Sequence, residues 1–182
     1  MRARSRLTFG AVFTRFRDGE QGTSAVEFAL VAPLFLTLLI AISELSMIFF
    51  SGQYLETAVQ DSARLIMTGQ AQTAPVAYTP DTFKTNVICP RLIALIDCGT
   101  LSIDVQNFPS GFTGANPGSP IDANGNLRTN FAFSLGNPSD VVIVRAFYPW
   151  QLMAARLFNI ATFSNGTYLI QASAAFRNEP YK

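Results

Sequence analysis

The chain contains one long, nearly continuous apolar stretch, from Phe28 to Phe50. Its polar side chains are Thr37, Ser43, Glu44 and Ser46. At 1.5 Å rise per residue, a helix over this stretch is about 35 Å long, which is enough to cross a hydrocarbon core of about 30 Å. The pattern therefore predicts a membrane-spanning helix over about residues 25–50.

The helical pattern continues beyond this stretch. Apolar and small residues recur at spacings of three and four, which predicts a buried helix face: Ile48, Gly52, Leu55, Val59, Ser62 and Ile66. Gly69 then supplies a C-cap. We predict one helix from Thr23 to Met67, with its first half in lipid and its second half packed on a domain. A coiled coil is the alternative, although the stripe covers few heptads.

Two residues inside the apolar stretch, Pro33 and Glu44, are expected to have specific structural effects. Pro33 removes one backbone hydrogen bond, so we expect a kink or local loosening there. It belongs to a series of small residues at multiples of four that would let another helix approach, although a plain lipid-facing helix explains the series equally well. Glu44 falls near the outer end, where we expect it to reach interfacial water.

The rest of the chain predicts an α+β domain with an antiparallel sheet. A short capped helix is expected from Thr79-Pro80-Asp81, with Phe83, Val87 and Ile88 facing inward. The alternating or β-branched segments predict strands at 101–106, 131–135, 141–148 and 167–176, with Pro149 ending the third. A long loop is expected over 107–130 and a short helix over 150–159.

Composition fits a membrane-anchored protein with one modest domain. The chain has 182 residues, of which 49% are hydrophobic and only 14% charged. Residues 1–22 hold five arginines against two acidic residues, a net charge of +3. Because basic segments tend to stay in the cytoplasm, this leader is expected inside and the C-terminal bulk across the membrane. Nucleic-acid binding by the arginines is the weaker alternative, because the adjoining anchor already accounts for them.

The start of the apolar helix has a distinctive spacing. Gly22 precedes Thr23, and Glu27 followed by Phe28 begins the apolar run. This arrangement resembles the cleavage site of a type IV prepilin, in which a peptidase cuts after the glycine and the fifth mature residue is a glutamate. Cutting there would expose the amine of Thr23, with Glu27 one turn along on the same face. In an assembly, the carboxylate could pair with a neighbour's amine inside lipid. A plain anchor with an incidental glycine remains the alternative.

The two cysteines, Cys89 and Cys98, are expected to form a structural disulfide, since both lie on the segment predicted to be outside the cytoplasm. The chain has no histidine and no CxxC pair, which leaves little support for a zinc site or a redox site. The segment from Asp122 to Asn126 superficially resembles a calcium loop, but it carries one carboxylate and favours an Asn-Gly turn. We expect no metal, no cofactor and no catalytic residues.

Several segments together resemble the TadE-like family, which comprises pseudopilins of the tight-adherence (Tad) pilus, a branch of the type IV pilus machinery. They are QGTSAVEFALVAPLFLTLLIAISEL, the cysteine pair, VVIVRAFYPW and AAFRNEP. Glu27, Pro33, Glu44 and the terminal Asn178-Glu179-Pro180 carry most of the resemblance. It implies a bacterial inner-membrane protein cleaved by a prepilin peptidase and needed for pilus assembly.

The implied organisation has three parts: a cleaved cytoplasmic leader (1–22), a long helix (23–68) and a periplasmic α+β domain (69–182). The implied partners are the inner membrane, the prepilin peptidase, other pilin and pseudopilin subunits and the Tad assembly machinery, with no nucleic acid. The mature protein would have no enzymatic activity and would act in pilus biogenesis and adherence. It could be incorporated into the extracellular pilus. The alternative function is an uncleaved single-pass assembly or adhesion factor that binds partners through its periplasmic domain.

Overall fold

The computed structural model describes residues 20–153 and 160–181. The chain divides into two compact units, one ending at Ser43 and one beginning at Glu44. The leader prediction for residues 1–19 lies outside the described residues.

One helix, α1, runs from Glu20 to Met67 and includes the whole predicted range. Gly69 has φ +79°, and its N–H donates to the carbonyl of Ile66 at 3.0 Å, so the C-cap prediction is confirmed. In the second unit the predicted stripe is the buried face of α1, where Leu55, Val59 and Ile66 have no exposed surface. The helical period thus located the core-facing side of α1 correctly.

Three antiparallel strands form the sheet in the order β1-β2-β3. They are β1 (Ser102–Phe108), β2 (Val141–Gln151) and β3 (Thr167–Arg177). Val105 pairs with Val144, which pairs with Ala174 on the other side. The predicted α+β class, with a long helix followed by a small domain containing an antiparallel sheet, is confirmed.

The predicted cap at Thr79 is present. Thr79 and Thr82 form a reciprocal capping box, and Pro80 begins the short helix α2 (Pro80–Phe83). A π-helical turn (Lys84–Ile88) and a 3₁₀ turn (Cys89–Arg91) follow. Their buried residues are Phe83, Val87 and Ile88, as the pattern predicted.

The strand predicted at 131–135 is wrong. Within this segment only Phe133 forms a β-bridge, which is parallel and pairs with Val105. The N–H of Val105 donates to the carbonyl of Ala132, and the carbonyl of Val105 accepts from the N–H of Ser134. The segment touches the outer edge of β1 over one residue. Gly136, with φ +70°, then turns the chain into the bend before β2. A strand pattern was present, but the chain leaves the edge before a ladder can form.

Pro149 does not end β2, which continues to Gln151. Because β1 pairs only as far as Phe147, Pro149 lies where β2 has no neighbour on that side, and a proline is tolerated there. The helix predicted over 150–159 is therefore wrong at Trp150 and Gln151, which are in β2; residues 154–159 lie outside the described part of the chain. The Asn-Gly turn is confirmed: Asp122 Oδ1 accepts N–H bonds from Asn124 and Asn126, both at 2.9 Å.

Candidate functional site

The predicted processing residues lie together on α1. Gly22 and Thr23 are both helical, and Glu27 follows one turn later on the face of Thr23. Glycine costs about 1 kcal/mol relative to alanine inside a helix, so Gly22 lowers the helix propensity of this turn. Thr23 and Glu27 are both exposed. Thr23 and Glu27 therefore share one exposed face of α1.

Glu27 is the only charged residue from Thr23 to Ser43, and it stands in an exposed apolar surface. Its neighbours Val26, Phe28 and Leu30 are 61%, 73% and 75% exposed. The apolar part of α1 has an 18-residue window with mean hydropathy 2.4, none of it buried, and it is long and apolar enough to cross a membrane. Such a surface needs lipid or other apolar helices around it, and a carboxylate placed there needs a partner.

Pro33 lies inside α1. Proline has no N–H, so the carbonyl one turn before it loses its helical donor. The hydroxyl of Thr37 donates to the carbonyl of Pro33 at 2.7 Å, and Ser43 bonds back to Leu39 in the same way at 2.8 Å. These back-bonds satisfy the two hydroxyls within α1, which lets them remain in an apolar medium.

The cysteine pair belongs to the second unit. Cys89 and Cys98 form a disulfide, with their Cα atoms 5.8 Å apart. The bridge closes the segment that follows the turns after α2, next to the buried Ile88 and Ile96. The disulfide is structural, because it joins two parts of one loop against the core.

Glu44 differs from the expectation. It is 2% exposed rather than in contact with interfacial water, and its Oε1 accepts the backbone N–H of Met153. The segment after β2 folds over it. Sequence reasoning missed this burial because the covering residues come from more than a hundred positions away.

A second buried carboxylate, Asp104, was also missed. The alternation of β1 placed it on the polar face, yet its side chain is 1% exposed and forms an ion pair with Arg145. Arg145 Nε donates to Asp104 Oδ2 at 3.0 Å, and the backbone N–H of Ala132 donates to Oδ1 at 3.0 Å. The guanidinium also donates to the carbonyls of Pro117 and Gly118, each at 2.7 Å. The pair therefore fastens the long loop onto β1 and β2.

The C-terminal segment forms a junction around Gly69. The N–H of Glu179 donates to the carbonyl of Met67 at 2.8 Å, and the amide of Asn178 donates to the carbonyls of Leu135 and Asn137. Tyr181 packs over Gly69 so closely that a Cβ there would lie 2.3 Å from its ring.

The phenol of Tyr181 donates to the carbonyl of Gly136 at 3.1 Å. Burial, together with the charge of Asp140, raises the pKa of Tyr181 above its usual value. Asn178 and Glu179 carried part of the family resemblance, and the structure shows what they do: they join the end of α1 to the turn before β2.

No group of three or more His, Cys, Asp or Glu side chains suited to a metal occurs in residues 20–153 and 160–181. The candidate groups at the start of α1 are the Gly22–Thr23 peptide bond and the carboxylate of Glu27, one turn later.

The family model described as TadE-like protein matches residues 22–64, about a quarter of the chain. The match lies wholly on α1 and contains Gly22, Glu27, Pro33 and Glu44. No curated protein and no solved structure matches the chain. The resemblance inferred from the sequence is confirmed over this segment.

Proposed function

We propose that this protein is a pseudopilin of a Tad pilus, processed by a prepilin peptidase between Gly22 and Thr23 and needed for pilus biogenesis and surface adherence. The observation that carries the proposal is the position of Glu27, alone in an exposed apolar helix surface and one turn after Thr23. The TadE-like match over residues 22–64 begins at the glycine that would precede the cut.

The proposed mechanism is structural rather than enzymatic. Before processing, the basic leader stays in the cytoplasm and α1 spans the inner membrane, with the second unit in the periplasm. After processing, the amine of Thr23 and the carboxylate of Glu27 lie on one helix face. Each would pair with the opposite group of a neighbouring pilin or pseudopilin, since neither charge is stable alone in lipid.

The cut is tested by mass spectrometry of the membrane-extracted protein from cells with and without the peptidase. We expect a chain beginning at Thr23 only when the peptidase is present. Gly22→Val should block processing, because the peptidase must approach the backbone where no side chain stands. Gly19→Val is the matched control, because it changes a nearby glycine of the leader and should leave the cut intact. A chain beginning at Met1 in peptidase-positive cells would refute the proposal.

The ion pair is tested at Glu27. Glu27→Gln removes a charge from the apolar helix, so membrane insertion should stay intact while pilus yield falls. Glu27→Asp keeps the charge on a shorter side chain and should give an intermediate yield. The measurement is surface pilus yield beside the abundance of each variant in the membrane fraction. Normal piliation by Glu27→Gln at normal abundance would favour the alternative, an uncleaved single-pass assembly or adhesion factor.

A further inference from the structure

The outer edge of β3 has a defined backbone orientation. Asn178, just after the strand, exchanges backbone hydrogen bonds with the Ser139–Asp140 turn on the β2 side. Thr167 and Leu169 instead bond outward, to the segment around Thr162, at 2.8 Å and 3.0 Å. Backbone groups alternate in direction along a strand, so the odd-numbered residues of β3 present their N–H and C=O away from β2.

The outward backbone groups of Gln171, Ser173 and Ala175 have no hydrogen-bond partner among the described residues. Their side chains are exposed. Edge strands of soluble domains are ordinarily protected by lysine, proline, a bulge or a covering segment. From 170 to 176, β3 contains no charge and no proline, its pairing with β2 is unbroken, and no described residue hydrogen-bonds to its outward backbone groups. This stretch is an open template for one more strand.

Grooves run beside this edge, between α1 and β3 within the second unit. One, of about 410 Å³, lies between Arg64 on α1 and Ser173–Phe176. Another, of about 530 Å³, lies between Glu56 on α1 and Leu169–Gln171. A strand added to β3 would thus have space for its side chains next to the helix.

Each groove has one charged side chain, Arg64 in the first and Glu56 in the second. The guanidinium of Arg64 is exposed and forms no ion pair with any described residue, while Glu56 accepts a hydrogen bond from Gln60 at 2.9 Å. Arg64 lies eight positions after Glu56, a rise of about 12 Å along the helix, which equals the length of about four residues of a strand. A strand with an acidic and a basic side chain four residues apart, both facing α1, therefore matches this edge in spacing and in charge.

We propose that the edge of β3 accepts an extended segment of another protein as a fourth, antiparallel strand. Its acidic residue meets Arg64 and its basic residue, four positions later, meets Glu56. Backbone hydrogen bonds to Gln171, Ser173 and Ala175 supply the attachment. This binding site does not depend on processing at Gly22.

A second copy of the chain fits this edge less well. From 170 to 176, β3 has no charged side chain. A second copy paired along this edge through the same residues would therefore bring neither an acidic group to Arg64 nor a basic group to Glu56. The occupant is therefore a segment of a different protein.

The test uses the full chain in detergent micelles and the capped peptide Val-Thr-Glu-Thr-Val-Thr-Lys-Thr-Val, in which Glu, Lys and the valines share one face. The control peptide exchanges Glu and Lys. Binding is followed by fluorescence anisotropy and by amide hydrogen exchange. We expect the first peptide to bind at least several-fold more tightly and to slow exchange at Gln171, Ser173 and Ala175.

Ser173→Pro removes an outward N–H without touching the β2 ladder, and should weaken binding about tenfold. Ser173→Ala is its matched control and should bind normally. The double variant Glu56→Arg/Arg64→Glu should prefer the control peptide, which tests the site without altering the strand. Equal binding by Ser173→Pro and Ser173→Ala, or equal affinity for both peptides, would overturn the proposal. Dimers that form without peptide and are abolished by Ser173→Pro would overturn the choice of occupant.

Discussion

Replacing Gly69 by alanine should be far more costly than the same change at Gly125, although the two glycines have nearly the same backbone conformation. Their φ angles are +79° and +78°. At Gly125 an added Cβ meets nothing within 4 Å, whereas at Gly69 it would lie 2.3 Å from the ring of Tyr181. The comparison separates the cost of a left-handed backbone from the cost of displacing a packed ring.

The left-handed conformation costs a non-glycine residue about 1–2 kcal/mol, and alanine recovers part of this by restricting the unfolded chain. Gly125→Ala should therefore lower the free energy of unfolding by about 1 kcal/mol. Gly69→Ala carries the same cost and also moves Tyr181, which loses its hydrogen bond to Gly136 and its packing on α1. We expect a total loss of about 3 kcal/mol.

The assay is denaturant unfolding of the full chain in detergent, followed by the fluorescence of Trp150, the only tryptophan. In a Tyr181→Ala background the ring is gone, so Gly69→Ala should cost only about 1 kcal/mol, the backbone component. Equal losses for Gly69→Ala and Gly125→Ala in the parent chain would refute the reasoning. The reasoning would also be refuted if Gly69→Ala cost as much in the Tyr181→Ala background as in the parent chain.

Two further predictions concern the polar contacts of the second unit. Asp104→Ala leaves the guanidinium of Arg145, whose side chain is 12% exposed, without its carboxylate partner and should cost about 3 kcal/mol. The double variant Asp104→Ala/Arg145→Met should cost less than the sum of the two single changes in a double-mutant cycle. Burial is the main cause that raises the pKa of Tyr181 in the folded state. The neutral phenol therefore contributes its full stabilisation below the unfolded pKa of about 10, and this stabilisation is lost as the pH rises through the folded pKa. Tyr181→Phe should therefore flatten the decline of unfolding free energy above that pH, and an unchanged slope would contradict the assignment.

The sequence alone determined the features that depend on local periodicity and chain connectivity. The spacing of Leu55, Val59 and Ile66 identified the buried face of α1, and Gly69 identified its end. The alternation in 167–176 located β3 correctly. The apolar run and the Gly22–Glu27 spacing identified the TadE-like segment, because both depend on neighbouring residues of a single helix.

Tertiary structure decided the features that depend on distant residues. Asp104 belongs to the polar face of β1 by alternation, but Arg145 and the loop at Pro117 cover it. Glu44 is buried because the backbone at Met153 reaches it from the far end of β2. Pro149 remains in a strand because β1 has already ended beside it. Whether a carboxylate is buried, or whether a proline is tolerated in a strand, depends on which segment lies next to it. Local sequence patterns do not specify a tertiary neighbour that is distant along the chain.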